Sequence, residues 1–310
     1  PRLDYPKIVE RKNQIVSKHA RGVEFLMKKN KVEVIHGVAR LNGPGKIEVR
    51  SEQGVSILEA ANIILATGSE ARLLPGLTPD PDWILTNVEI LDLQAVPESL
   101  LVVGAGAVGI EFASMFHRFG AKVTLLEMLP RIVPLEDEEV SKELERVFRK
   151  SGIRVETGAR VEEVRRLDGG VQLTVALASG KTEQITAERA LVGVGRRPVT
   201  QNIGLETTRV ETEGGFIKVN EYQQTAEPGI YAIGDIVAGT PQLAHVAARE
   251  GLIAVAHLAG KPVGPLNRRL IPSCTYSEPG IASVGLTEAQ ARAEGHRVKV
   301  GKFSFIPNSM

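Results

Sequence analysis

Short unbroken apolar runs alternate along this chain with stretches in which apolar residues recur every three or four positions. That is the pattern of buried strands joined by amphipathic helices. Residues 6–30 read as a helix, with Ile8, Ile15, Val16, Val23, Leu26 and Met27 available for one buried side. Strand-like runs follow at Val32–Ile35 and Lys46–Arg50, with Gly43-Pro44-Gly45 as the turn between them. Asn62 to Leu65 is a buried strand that ends in Ala66-Thr67-Gly68, and Leu100 to Val103 is a second that runs into Gly104. From Val108 the period changes to helical, with Val108, Phe112, Met115 and Phe119 on the expected apolar face and Gly120 as a stop. The strand Lys122–Leu126 ends on Glu127, and a helix over 136–150 leads through Gly152 to the strand Ile153–Val155. Val171–Leu177 and Glu183–Thr186 alternate as an antiparallel excursion, before the chain returns through Ala190-Leu191-Val192-Gly193-Val194-Gly195. Gly229-Ile230-Tyr231-Ala232-Ile233-Gly234-Asp235 is a further short strand delivering a carboxylate, followed by a helix from about Gln242 to Leu258.

The segment from Leu101 to Glu127 carries the most specific chemistry. A strand, a Gly-x-Gly-x-x-Gly turn, a helix, a second strand and an acid form a dinucleotide-binding unit. Gly104 permits the tight turn, Gly106 admits a pyrophosphate close to the backbone, and Gly109 lets helix and strand pack closely. The phosphates then meet the unpaired N–H groups and positive dipole end of the helix. Glu127 lies 23 residues after Gly104 and is expected to accept both ribose hydroxyls. Its charge repels a 2′-phosphate, which favours NAD over NADP. Asp235, at the carboxyl end of its strand, is placed to bind a cofactor hydroxyl, with capping of the following loop as its other reading.

The run Ile63 to Gly68 is echoed by Leu191 to Gly195, each an apolar strand ending in a glycine turn and each followed by a Pro and a Gly-Leu pair (Pro75-Gly76-Leu77; Pro198, Gly204-Leu205). The second copy opens at Gly104, 91 residues before Gly195, and the same length set back from Gly68 falls ahead of residue 1. A first nucleotide-binding domain whose opening precedes Pro1 is expected. With 310 residues, two or more domains are expected. Lys and Arg total 38 against 37 Asp and Glu, so no general charge favours nucleic acid or a membrane surface. The first 30 residues hold eight Lys/Arg and three Asp/Glu, read as a solvated helix face. Glu111 interrupts the longest apolar stretch short of the roughly 18 residues a membrane helix needs. No signal-peptide pattern opens the chain, and a cytoplasmic or mitochondrial-matrix enzyme is expected. Cys274 is the only cysteine and the six histidines are scattered, so neither an internal disulfide nor a metal site is expected.

Taken together, Ala66-Thr67-Gly68-Ser69, Gly104 to Glu111, Gly195-Arg196-Arg197-Pro198, and Gly234-Asp235 with Gln242-Leu243-Ala244-His245 closely resemble the class I flavoprotein pyridine nucleotide-disulfide oxidoreductases. Ile271-Pro272, Tyr276-Ser277-Glu278-Pro279 and Ala282-Ser283-Val284-Gly285 are similar to the opening of that family's interface domain. The resemblance spans essentially the whole chain, in the family's order. It implies an α/β fold with two Rossmann-like FAD and NAD domains, antiparallel β excursions and the start of an α+β dimer-interface domain. The implied segments are 1–95 (first FAD-binding part), 96–221 (NAD-binding), 222–266 (returning FAD-binding part) and 267–310 (interface). The implied NAD site is Gly104, Ala105, Gly106, Ala107, Val108, Gly109, Ile110, Glu111, Glu127, Val161 and Gly195. The implied FAD contacts are Ala39, Thr67, Gly68, Ser69, Asp235, Gln242, Leu243, Ala244 and His245, with Asp235 on the ribityl chain and the N–H groups of Leu243, Ala244 and His245 facing the flavin pyrimidine. Glu111 is implied to support catalysis beside the flavin.

Within the family the likeness leans to the branch that oxidises dihydrolipoamide, passing electrons through a disulfide and FAD to NAD. A small-molecule or lipoyl-domain thiol, a homodimer and a 2-oxo acid dehydrogenase complex are the implied partners. Mercuric-reductase-like and transhydrogenase-like enzymes share the scaffold. The family's first glycine motif, its Cys-x-x-x-x-Cys pair and its C-terminal His–Glu pair are not in this sequence. Cys274 is accordingly expected to be a small buried core residue, and the isolated chain to be inactive in thiol redox chemistry. A non-catalytic NAD-binding module, or a piece that does not fold stably, are the competing expectations.

Overall fold

The computed structural model describes residues 3–74, 76–80 and 82–305, and these divide into two compact units. Pro75, part of the repeat noted above, lies outside the described residues.

One unit comprises residues 74–87, 97–194 and 269–310. Its centre is a parallel sheet in the order Ile84–Leu85, Arg189–Val192, Ser99–Val103, Lys122–Glu127, Arg154–Thr157. The strands are near-continuous apolar runs because helices or the excursion cover them: Leu100, Leu101, Val102, Leu125, Val155, Ala190 and Leu191 have no exposed surface. Helices α2 (Ala107–Phe119) and α3 (Glu138–Ser151) make the crossovers. Each ends on a left-handed glycine, Gly120 (φ 104°) and Gly152 (φ 106°), a conformation that a side chain would strain. Acidic residues open α3 and Arg149 and Lys150 close it, in accord with the helix dipole. The excursion is a three-stranded antiparallel sheet of Arg160–Leu167, Gly170–Ala176 and Thr182–Ala187. Its Val171, Leu173, Val175 and Ile185 share one core with Leu101, Val103 and Leu126 of the parallel sheet. The hairpin Pro272–Thr275 with Ile281–Val284 and the helix α5 (Glu288–Ala293) complete this unit.

The other unit comprises residues 1–73, 88–96 and 195–268. It holds helix α1 (Tyr5–Lys29), an antiparallel sheet of Val38–Leu41, Lys46–Ser51 and Gly54–Glu59, and helix α4 (Ala244–Leu258). Ile63–Leu65 pairs in parallel with Ile230–Ala232, and Ser69–Ala71 antiparallel with Arg196–Pro198. Leu41, Ile63, Leu65, Ile217, Ile230, Ala232, Ile236 and Val237 form its core.

Four expectations are corrected. Val32–Ile35 is not a strand: Val32 N–H donates to Met27 O at 2.9 Å, closing α1, and pairing begins only at Val38. The face that α2 buries is Gly109, Ile110, Phe112, Ala113 and Phe116, while Val108, Met115 and Phe119 are half-buried. Gly109 rests directly on Gly104 O, which puts Gly109 and its neighbours Ile110, Phe112, Ala113 and Phe116 on the packed side. Cys274 is exposed, because the other side of its hairpin strand carries the buried residue, Thr275. Residues 195–221, expected with the NAD-binding segment, cluster with the other unit, where the strand Arg196–Pro198 pairs and Ile203 O accepts Leu41 N–H at 2.8 Å. Of α1, only Tyr5 and Val9 are buried, so Ile15, Val16, Val23 and Leu26 present an uncovered apolar side among the described residues.

Candidate functional site

The glycine turn has the three properties its sequence implies. Gly104 has φ +100°, and a Cβ there would lie 2.5 Å from Gly193 O. A Cβ on Gly109 would lie 1.8 Å from Gly104 O, so α2 rests directly on the turn. Gly106, the N-cap of α2, has nothing within 4 Å of its Cβ position, and the described residues include no side-chain cap for the helix. That is an open, positively polarised helix start of the kind that takes an anion.

Glu127 closes the same site from the next strand. It is 8% exposed; its Oε2 accepts Ala105 N–H at 2.7 Å and its Oε1 accepts Leu129 N–H at 2.8 Å. Each carboxylate oxygen has two lone-pair directions, so each retains an acceptor position for a hydroxyl. Ala105, Ile110 and Gly109 are buried, Ala107 is exposed and Val108 half-buried around this start. Val161 lies half-buried at a bulge in Arg160–Leu167, packed on the core below the sheet. Bulges of this kind re-aim side chains near binding sites.

A second constellation gathers at the carboxyl end of Ile230–Ala232. Ser69 Oγ donates to Asp235 Oδ2 and accepts from Arg196 Nε at 2.6 Å, while Arg196 Nη2 donates to Ser69 O at 2.6 Å. Arg196 Nε stands 4.0 Å from Asp235 Oδ2, so the carboxylate faces a cation. Thr67 Oγ1 donates to Val199 O at 2.6 Å, and Gly68 O accepts Val199 N–H at 2.9 Å. Gln242 Nε2 donates to Asp235 O at 3.2 Å. Ala244 and His245 open α4, for which the described residues include no side-chain cap. Leu243 N–H, expected to face a ligand, donates instead to Pro241 O at 2.9 Å.

Three further expected site residues make contacts of their own. Glu111 Oε1 accepts Tyr276 N–H at 2.9 Å, joining α2 to the hairpin. Gly195 clusters with the unit of Asp235, its carbonyl accepting Arg72 N–H at 3.0 Å. Ala39 is exposed on the strand Val38–Leu41, opposite Val49. Two residues were missed. Arg196 sits inside the quoted Gly-Arg-Arg-Pro motif, yet its link to Asp235 is not visible in sequence. Glu250 is fully buried on α4, and the available signal was a carboxylate in the apolar series Val246, Ile253, Ala254.

Comparison with known proteins adds to this geometry. The family model described as pyridine nucleotide-disulphide oxidoreductase matches residues 3–251, and its dimerisation domain matches 271–310. A dihydrolipoyl dehydrogenase of Bacillus subtilis (strain 168) is 46% identical over 315 residues, covering 98% of this chain and 66% of the relative. That of Chlorobaculum parvum is also 46% identical, over 305 residues, covering 98% and 65%. Among solved structures, LpdA from Mycobacterium tuberculosis superimposes with a TM-score of 0.87 at 31% identity, covering 95% of this chain and 65% of that one. The chain thus spans just under two thirds of the length of the curated relatives it matches.

Proposed function

Since the chain belongs to the pyridine nucleotide-disulphide oxidoreductases, we propose that its residues supply the NAD site and part of the FAD site of a dihydrolipoyl dehydrogenase. The observation that carries this reading is the open face of Gly106 beside the buried Glu127, whose carboxylate already holds the turn. The 46% identity to dihydrolipoyl dehydrogenases favours that branch over other disulfide reductases.

The residues present fit both cofactors. At the first site the start of α2 receives the pyrophosphate, and Glu127 accepts the ribose hydroxyls while opposing a 2′-phosphate. At the second, Asp235, hydrogen-bonded by Ser69 and faced by Arg196, takes a ribityl hydroxyl. The N-terminus of α4 favours negative charge on the ring's pyrimidine side. When bound, FAD supplies two-electron chemistry between a dithiol and NAD. Cys274 is the sole cysteine of these 310 residues, so they provide no cysteine pair of their own. The match of 271–310 to the dimerisation domain supports a homodimer, and a lipoyl-bearing 2-oxo acid dehydrogenase complex is the partner this branch implies.

The test is dihydrolipoamide oxidation by the protein in its full natural length, with NAD and NADP compared and bound flavin counted per chain. NAD-linked turnover with about one flavin per chain is expected. Nucleotide binding without flavin or turnover would favour the non-catalytic NAD-binding module instead.

A further inference from the structure

Ile233 N–H donates to Leu65 O at 3.0 Å and is the last amide of its strand to do so. The next amide turns away: Gly234 N–H donates to Glu250 Oε2 at 2.6 Å. Gly234 adopts φ +74°, and a Cβ there would lie 3.2 Å from Ala247 Cβ, so the turn is seated on α4 one helical turn before Glu250. Gly234 O then accepts Val237 N–H at 2.9 Å, closing the short turn Gly234–Ile236 that carries Asp235. A carboxyl side chain with no exposed surface is an expensive choice for an otherwise apolar helix face.

We propose that Glu250 is a positioning residue for the flavin: by holding Gly234 N–H it sets the turn that presents Asp235 to the ribityl chain. The inference rests on the FAD reading above and deepens it. Burial pushes the Glu250 carboxyl up from its ordinary value, against the opposing hydrogen bonds from Gly234 and Thr240 and the charge of Arg268, with Asp235 adding to the rise. The bond to Gly234 N–H and the contact of Gly234 with Ala247 together seat the turn that carries Asp235 on α4. Glutamine keeps an acceptor oxygen at the same length, aspartate withdraws it by one methylene, and methionine fills the space without it.

The experiment measures FAD affinity and the visible flavin spectrum on the full-length protein, reloading flavin into the stripped form, with apoprotein unfolding recorded in parallel. Glu250→Gln is expected to hold FAD within about threefold of the parent, and Glu250→Met and Glu250→Asp to weaken it about tenfold or more. Because the effect runs through Asp235, combining Glu250→Asp with Asp235→Asn is expected to weaken FAD no further than Asp235→Asn alone. Parent-like affinity in both Glu250→Asp and Glu250→Met overturns the inference, as do losses that multiply in the double variant. A Glu250→Gln as weak as Glu250→Asp does the same. A parent protein that takes up no FAD at all overturns the flavin reading itself, and the inference with it.

Discussion

Gly106 and Gly109 lie three residues apart, yet alanine at each is expected to fail in a different way. At Gly109 the added methyl would stand 1.8 Å from Gly104 O and 3.3 Å from Val102 Cγ1. The first contact is backbone on backbone and cannot be relieved by a rotamer change, so α2 must retreat from the strand Ser99–Val103 by more than an ångström. Overpacking of a tight core ordinarily costs 1–3 kcal/mol, and a clash with rigid backbone belongs at or above the top of that range, about 3 kcal/mol. For a domain of this size that is a fall in Tm of roughly 6–12 °C. At Gly106 the φ of −74° suits any residue and the methyl meets nothing. Stability should therefore change by less than about 1 kcal/mol, the scale of an N-cap exchange. On the function proposed above, the methyl occupies the face through which a pyrophosphate reaches the helix start, so NADH should bind at least about tenfold more weakly. Urea unfolding and NADH fluorescence titration on the two variants separate these effects. A Gly106→Ala that binds NADH normally refutes the placement of the phosphates, and a Gly109→Ala of parental stability refutes the need for close packing.

Glu127→Gln removes the charge opposing a 2′-phosphate and misfits one of the two amides the carboxylate holds. The NADPH-to-NADH affinity ratio should rise by about tenfold, and an unchanged ratio in parallel titrations would show that Glu127 does not select the nucleotide. Asp137 accepts the amide of Glu139 in α3 and that of Glu288, the first residue of α5. Asp137→Ala should cost about 1–2 kcal/mol in chemical unfolding, a loss of cap size, where a value near zero rejects the double cap. The Glu288 and Glu139 amides hold the Asp137 carboxyl below the usual aspartate value. Its contribution is complete above that value and lost as pH falls through the lowered one, a slope that Asp137→Asn should flatten. Glu250 carries the opposite sign. Raised by burial, it binds a proton in the folded state that the unfolded chain has released. Stability should therefore fall as pH climbs from the ordinary glutamate value to the raised one, and Glu250→Gln should lose that dependence.

What could be read from the sequence was whatever its residues enforce on their near neighbours. The turn at Gly104 to Gly109, the stop at Gly120 and the pairing of Val171–Leu177 with Glu183–Thr186 depend on φ, steric bulk and period, and each appears as expected, while the third strand of the excursion, Arg160–Leu167, carries too many charges to show as one. Burial by a distant partner is where the reading failed. Val32–Ile35 has the pattern of a strand, but its first amide is already used to end α1. On α2 the period places Val108, Met115 and Phe119 inside with Phe112, whereas Ile110, Ala113 and Phe116 are the residues buried beside Phe112 and Gly109. A core place is expected for Cys274 because it has no cysteine partner, while the burial along its hairpin strand places Thr275 inside. Arg196 reaches Ser69 across 127 positions and Glu250 reaches Gly234 across 16, and no local pattern records either bond.

The carboxylates of the two units divide their work differently. In one, Glu127 ties down the turn through Ala105 and Leu129 and, on the function proposed above, keeps acceptor positions for a ribose. In the other the proposed reading splits the tasks: Glu250 holds Gly234, and Asp235, hydrogen-bonded by Ser69 and faced by Arg196, serves the ligand. The difference follows from where each acid sits. Glu127 ends its own strand within reach of the preceding turn, so one side chain spans both tasks. Asp235 lies inside the turn it would have to stabilise and points out of it, so the supporting bond must come from a neighbouring helix. Substitutions at Glu127 should therefore change the turn and the nucleotide preference together. In the Asp235 unit the two effects should come apart, with Asp235→Asn weakening FAD while leaving apoprotein unfolding near that of the parent. A matching fall in apoprotein stability would show that Asp235 holds its own turn, and the division of labour would fail.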